Sequence, residues 1–179
     1  MVYTILANGF EEIEALAVVD ILRRAEIPVT TFSINADNVV EGAHGISVFA
    51  DKLLKDIDFD FDMIFLPGGY PGYVNLESCE LLCDILEKAH KTNKYISAIC
   101  AAPSIIGKMG LLKGEKACCF PSFEKFLENA EVSFEDVCES GKFFTSRGAG
   151  TAHVLAFKIV EHYKGKEFSD KLKEAMLYK

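Results

Sequence analysis

Short, wholly apolar strands set between amphipathic helical stretches place the strongest limit on this chain. "VYTILA" (2–7), "VTTFSI" (29–34), "DMIFLPGG" (62–69) and "YISAI" (95–99) are rich in β-formers, and most leave no polar face for water. Strands buried on both faces belong to a parallel sheet with helices on either side. The intervening segments agree. Helical spacing runs over 11–25 and 78–92, then over 149–165 and 168–177. Pro103 suits the first turn of another helix. "NVVEGAHGISVFA" (38–50) reads as a small hairpin or two short strands around Gly42 and Gly45. Residues 131–146 read as one or two strands with a turn at Ser140-Gly141. The chain has 179 residues, half of them hydrophobic, and is read as one domain over 1–179.

In such sheets ligands sit at the carboxyl ends of the strands. "NGFEE", "LPGGYPG" and "CAAP" are the loops expected there. The partners are narrowed by charge. A net charge of 19 − 27 = −8 argues against nucleic acid or an anionic membrane. No segment approaches the ~18 apolar residues of a membrane span. The start, "MVYTILANGFEEIEA", lacks the basic lead and long apolar run of a secretory signal, so a cytoplasmic location is expected. Six cysteines (79, 83, 100, 118, 119 and 138) are then expected to be reduced. There is no Cys-x-x-Cys pair, and no histidine stands near Cys79 and Cys83, so no metal site is expected.

Cys100 sits where a strand meets a helix. A nucleophile on such a sharp turn needs small residues two before and two after it, and Ala98 and Ala102 meet that demand. The helix amino terminus would also favour a thiolate. From the pattern alone a reactive cysteine and an inert buried one fit equally. Gly68 and Gly69 leave bare backbone after a buried strand. By themselves they mark a tight strand exit. Beside a nucleophile, an amide there joins that of Ala101 to hold an oxyanion.

In the helix at 11–25, Glu14 shares a face with Val18, Ile21, Leu22 and Ala25. Burial there raises its pKa and the helix terminus lowers it, and the residues leave that balance open. Glu11 suits a solvated first turn, and Glu12 a cap or the surface. His90 and His162 fall late in helices and read as structural. His153 is a conceivable base for Cys100, but its face suits packing better. His44 lies in a Gly-flanked turn and reads as exposed.

Four motifs in order, "GFEEIEA" (9–15), "LPGG" (66–69), "AICAAP" (98–103) and "TSRGAGTA" (145–152), resemble the ThiJ/PfpI superfamily, in the branch of the Parkinson-associated protein DJ-one. The resemblance implies a flavodoxin-like three-layer sandwich with a mostly parallel central sheet, and a homodimer. It implies that Cys100 is a reactive elbow cysteine, Glu14 the carboxyl bonded to it, and Gly69 and Ala101 the amide donors. It places Gly68, His44 and Phe120 about the pocket. Phe120 stands where this branch has a pocket histidine, and Ala149 replaces the proline of "GPGT". Ala101 follows the cysteine where protease-like relatives have a histidine, and no late His-Pro-Glu exists. Protease and glutamine amidotransferase activity are therefore disfavoured.

The implied activity is cofactor-free conversion of a small 2-oxoaldehyde such as methylglyoxal, as a glyoxalase or deglycase. The alternative is an oxidative-stress sensor or chaperone whose cysteine stops at the sulfinic acid. A binding domain with no retained activity is the third reading.

Overall fold

The computed structural model describes residues 1–179. Its strands are β1 (Val2–Leu6), β2 (Val29–Ser33), β3 (Val39–Glu41), β4 (Ser47–Phe49), β5 (Lys52–Leu53), β6 (Met63–Leu66), β7 (Tyr95–Ile99), β8 (Lys116–Ala117), β9 (Glu131–Val132), β10 (Val137–Ser140) and β11 (Phe143–Ser146). Its helices are α1 (Glu12–Arg24), α2 (Gly72–Glu77), α3 (Glu80–Lys91), α4 (Pro103–Lys108), α5 (Ala152–Lys164) and α6 (Lys166–Ala175).

Seven strands form the main sheet in the order β10-β11-β7-β6-β1-β2-β5. All its pairings are parallel except that of the edge strand β10 with β11. The chain leaves β1 for β2 on one side, then returns to β6 on the other. That reversal is the topological switch of flavodoxin-like folds, where a crevice opens beyond the strand ends.

The sheet is buried on both faces, as its apolar strands require. Tyr3, Ile5, Ile64, Leu66 and Ile96 pack with Leu82, Ile85 and Leu86 of α3 and Ile105 and Ile106 of α4. Val2, Met63, Phe65, Ile99 and Phe144 pack with Val18, Ile21 and Leu22 of α1 and Leu155, Ile159 and Val160 of α5. These are the three layers of an α/β/α sandwich.

The sequence reading holds for the long elements. The segment 38–50 is the antiparallel hairpin of β3 and β4, and Gly141 opens the turn between β10 and β11. Pro103 opens α4. The segment 131–146 holds three strands, β9, β10 and β11, where one or two were expected, and α2, β5 and β8 were not anticipated because they are too brief to carry a period.

The histidines read as structural pack as such. His162 lies against Tyr95 and Phe144, His90 stacks on Phe143, and His153 stacks on Tyr178. No helix is long and apolar enough to cross a membrane.

Candidate active site

Three neighbouring strands, β1, β6 and β7, deliver the site. Leu66 pairs with Ala98, so two residues further on Gly68 comes level with Cys100. Glu14 reaches the same point from the first turn of α1, and its Oε2 accepts the Gly68 N–H at 2.8 Å. The carboxyl is almost wholly buried. The Cys100 side chain adjoins the same carboxyl across Gly68. Glu14 therefore sits on an apolar stripe because the strand ends supply its partners.

Cys100 has φ +63°, in the left-handed region that side chains avoid. Such a residue costs about 1–3 kcal/mol and persists only where its surroundings hold it. Here its N–H donates to Ser146 O at 2.9 Å and its carbonyl accepts from Phe120 N–H at 2.8 Å. Ala98 and Ala102 are fully buried on either side, as the elbow demands. Gly69 and Ala101 line the same cavity as the sulfur.

The glycines are fixed by contact. A Cβ on Gly68 would lie 2.6 Å from Cys100 Cβ and 2.7 Å from Glu14 Oε2, between the cysteine and the carboxyl. Gly69 has φ +94°, and a Cβ there would meet Glu11 N at 2.3 Å and Gly9 O at 2.4 Å. The loop after β6 thus lies backbone to backbone on the loop after β1. We expect Gly69→Ala to lower stability by more than ~2 kcal/mol, read as a drop in the urea midpoint at unchanged slope. Gly45→Ala is its control, since Gly45 has a similar φ of +79° with nothing near its would-be Cβ. An equal loss in both would show that contact with the neighbouring loop contributes nothing.

Burial pushes Glu14 up to about 7, against an ordinary 4.5. Burial also pushes Cys100 up to about 12, with repulsion from the Glu14 carboxylate as the next cause. This departs from the expected helix-terminus thiolate. Helix α4 has only 6 residues, and desolvation outweighs its dipole. The pair titrates as a unit. The carboxyl loses its proton near 7 and the thiol holds its own to about 12, so between them the thiol stands beside a carboxylate placed to accept its proton.

The outer residues part company. Phe120 lines the cavity at Cys100 together with Ala101 and Gly69. Tyr70, Tyr73 and Phe123 complete it and were missed, although "YPGY" directly follows the glycine loop. His44 lies outside this cavity. Its ring Nδ1 is 2.7 Å from Glu12 Oε2, and its N–H donates to Glu12 Oε1 at 2.7 Å. The two outer glutamates depart from expectation: Glu11, not Glu12, caps α1 by accepting from Glu14 N–H, and Glu12 is buried and pins the hairpin turn. Glu11, Glu12 and His44 bring one ligand atom each within 4.8 Å of one another, but Glu12 is already engaged by His44.

Comparison with known proteins agrees with this geometry. The model of the DJ-1/PfpI family matches residues 1–162. Protein DJ-1 homolog A of Arabidopsis thaliana is 38% identical over 176 residues, 96% of this chain but 45% of the relative, so this chain spans less than half of that protein. Glutathione-independent glyoxalase DJR-1.2 of Caenorhabditis elegans is 33% identical over 164 residues, 90% of this chain and 87% of the relative. The structure of oxidized Toxoplasma gondii DJ-1 superposes with a TM-score of 0.94 at 35% identity, covering 99% of this chain and 97% of that one. Since sequence and backbone agree over nearly the full length, the chain belongs to the DJ-1/PfpI family.

Proposed function

We propose that this protein is a cofactor-free glyoxalase, or a deglycase using the same chemistry, acting on small 2-oxoaldehydes such as methylglyoxal. The observation that carries this reading is a buried carboxyl and an elbow cysteine brought together at Gly68, beside a cavity lined by Gly69 and Ala101. The name of the C. elegans relative, a glutathione-independent glyoxalase, supports it.

The chemistry balances with these groups alone. The Glu14 carboxylate takes the thiol proton as the Cys100 sulfur adds to the aldehyde carbon, and passes it to the aldehyde oxygen, giving a hemithioacetal. The carboxylate then takes the proton from that carbon and returns it to the neighbouring carbonyl carbon, while the hydroxyl proton moves from the former aldehyde oxygen to the former ketone oxygen. A thioester results, with the Gly69 and Ala101 amides bonded to the oxyanion on the way. Water cleaves the thioester and frees the thiol. The sum is methylglyoxal plus water to lactate, with no net redox change.

The test is lactate formation by the purified protein from methylglyoxal, with no added thiol. Turnover is expected, and its absence overturns the proposal. If lactate is absent while dilute peroxide adds two oxygens selectively at Cys100, the pair serves oxidation sensing instead. The arrangement of one acid and two amides about the sulfur suits a sulfinate as well.

A further inference from the structure

The cavity at Cys100 is walled by four aromatic rings. Tyr70, Tyr73, Phe120 and Phe123 surround the sulfur in a space of about 220 Å³. Tyr73 and Phe123 stand edge to face at 88° with centroids 5.4 Å apart, and Phe120 and Phe123 meet at 73° and 6.5 Å. Tyr70 is 75% exposed and Phe120 46% exposed, so they form the rim, while Ala101 is buried at the base. No charged side chain and no imidazole lines the space.

This lining has consequences for the substrate. A carboxylate or phosphate on it would meet no counter-charge. The two oxygens of a 2-oxoaldehyde have amide donors at the base, so the remaining substituent points toward the rings. A methyl group covers little of their surface. A planar aromatic substituent covers more of it and meets ring faces and edges in the arrangements aromatic pairs prefer. The space of about 220 Å³ lies below the ~300–1,000 Å³ of drug-sized ligand sites, so it accommodates one ring and not an extended molecule.

We propose that this site selects 2-oxoaldehydes bearing an aromatic or bulky apolar substituent over methylglyoxal, with Phe120 and Phe123 as the specificity-determining residues. This rests on the glyoxalase reading for its reaction, though not for the pocket's preference. The experiment therefore has two arms.

The first arm needs no turnover. Cys100 is alkylated with 2-bromoacetophenone or bromoacetone, which carry phenyl or methyl on the same bromomethyl ketone. A carbon–sulfur bond forms and bromide leaves with its electron pair, and peptide mass spectrometry gives the rate at Cys100. The phenyl-to-methyl rate ratio is divided by that for glutathione, which removes intrinsic reactivity. We expect a corrected ratio of about 10, given that one methylene in an apolar pocket is worth ~10–200-fold. It should fall to about 1 in Phe120→Ala, at a half-exposed position, and in Phe123→Ala, and persist in Phe120→Leu at a lower value. A wild-type ratio of 1 overturns the proposal, as does a ratio that neither alanine variant alters.

The second arm compares kcat/KM for phenylglyoxal, giving mandelate, with that for methylglyoxal, giving lactate. A preference for phenylglyoxal of similar size supports the proposal. If alkylation shows the preference but neither aldehyde turns over, the glyoxalase reading fails and the pocket assignment stands. If methylglyoxal turns over and no aryl preference appears in either arm, the reverse holds.

Discussion

Cys100→Ser abolishes lactate formation from methylglyoxal, lowering kcat/KM by at least ~1,000-fold, in line with the loss of a covalent nucleophile. The effect is large because nothing else near the reacting carbon replaces the sulfur. A serine hydroxyl ionises far less readily than a thiol, and its carboxyl partner is buried at the same point. Cys118, Cys119 and Cys138 are buried elsewhere, and Cys79 and Cys83 lie about α3. The fold is expected to survive the change. Serine is close in size to cysteine, and the backbone bonds to Ser146 and Phe120 that hold the elbow do not involve the side chain. Thermal unfolding should therefore be close to wild type while turnover vanishes. Turnover at the wild-type rate in this variant would end the covalent mechanism.

Glu14→Gln lowers kcat/KM by about 10²–10⁴-fold, the range for a positioned acid–base group. The more telling readout is pH. In the wild type, activity and Cys100 alkylation rise as pH climbs through about 7, where the pair loses its first proton and becomes the reactive one-proton pair. In Glu14→Gln that step is gone. The thiol then titrates alone, still raised by burial but free of repulsion from a carboxylate. Its inflection moves above 7 and falls below the wild-type second step near 12. An inflection unchanged by the substitution would mean that another group titrates.

Stability carries the same signature. The folded Glu14 pKa lies above the unfolded one, so folded chains hold a proton that unfolded chains have lost between 4.5 and about 7. The Glu14 contribution is thus full below the lower value and is lost as pH rises through that window. At about 1.4 kcal/mol per unit, the loss reaches at most ~3.5 kcal/mol. Urea unfolding at pH 4.5 and 8 should show this slope in the wild type and not in Glu14→Gln.

Much of this was legible before any coordinates. The apolar strands required a parallel sheet covered twice, because their backbone has no solvated face to offer. Ala98 and Ala102 marked the corner at Cys100, since larger side chains would collide across it. Glu14 stood out because a carboxylate on an apolar stripe needs a reason. The motifs jointly carried the family.

Other features were hidden because they depend on distance in space. Glu11 and Glu12 both open α1, and only the approach of the 42–46 turn gives Glu12 to His44 and leaves the cap to Glu11. Tyr70 and Tyr73 meet Phe120 and Phe123 from a segment about 50 residues away, so no local pattern links them. Thiol ionisation was misjudged from the helix start alone, because burial beside a second acid outweighs a short helix.

By itself, then, the sequence determined the layered α/β architecture through periodicity and singled out Cys100 and Glu14 through steric and polar misfits that a chain carries wherever it folds, while the family resemblance gave them their expected roles. The tertiary structure alone decided that the carboxyl is buried beside the thiol and that four rings line the cavity at Cys100. Both are properties of neighbours brought together by the sheet order, and desolvation and ring packing exist only once those neighbours have met.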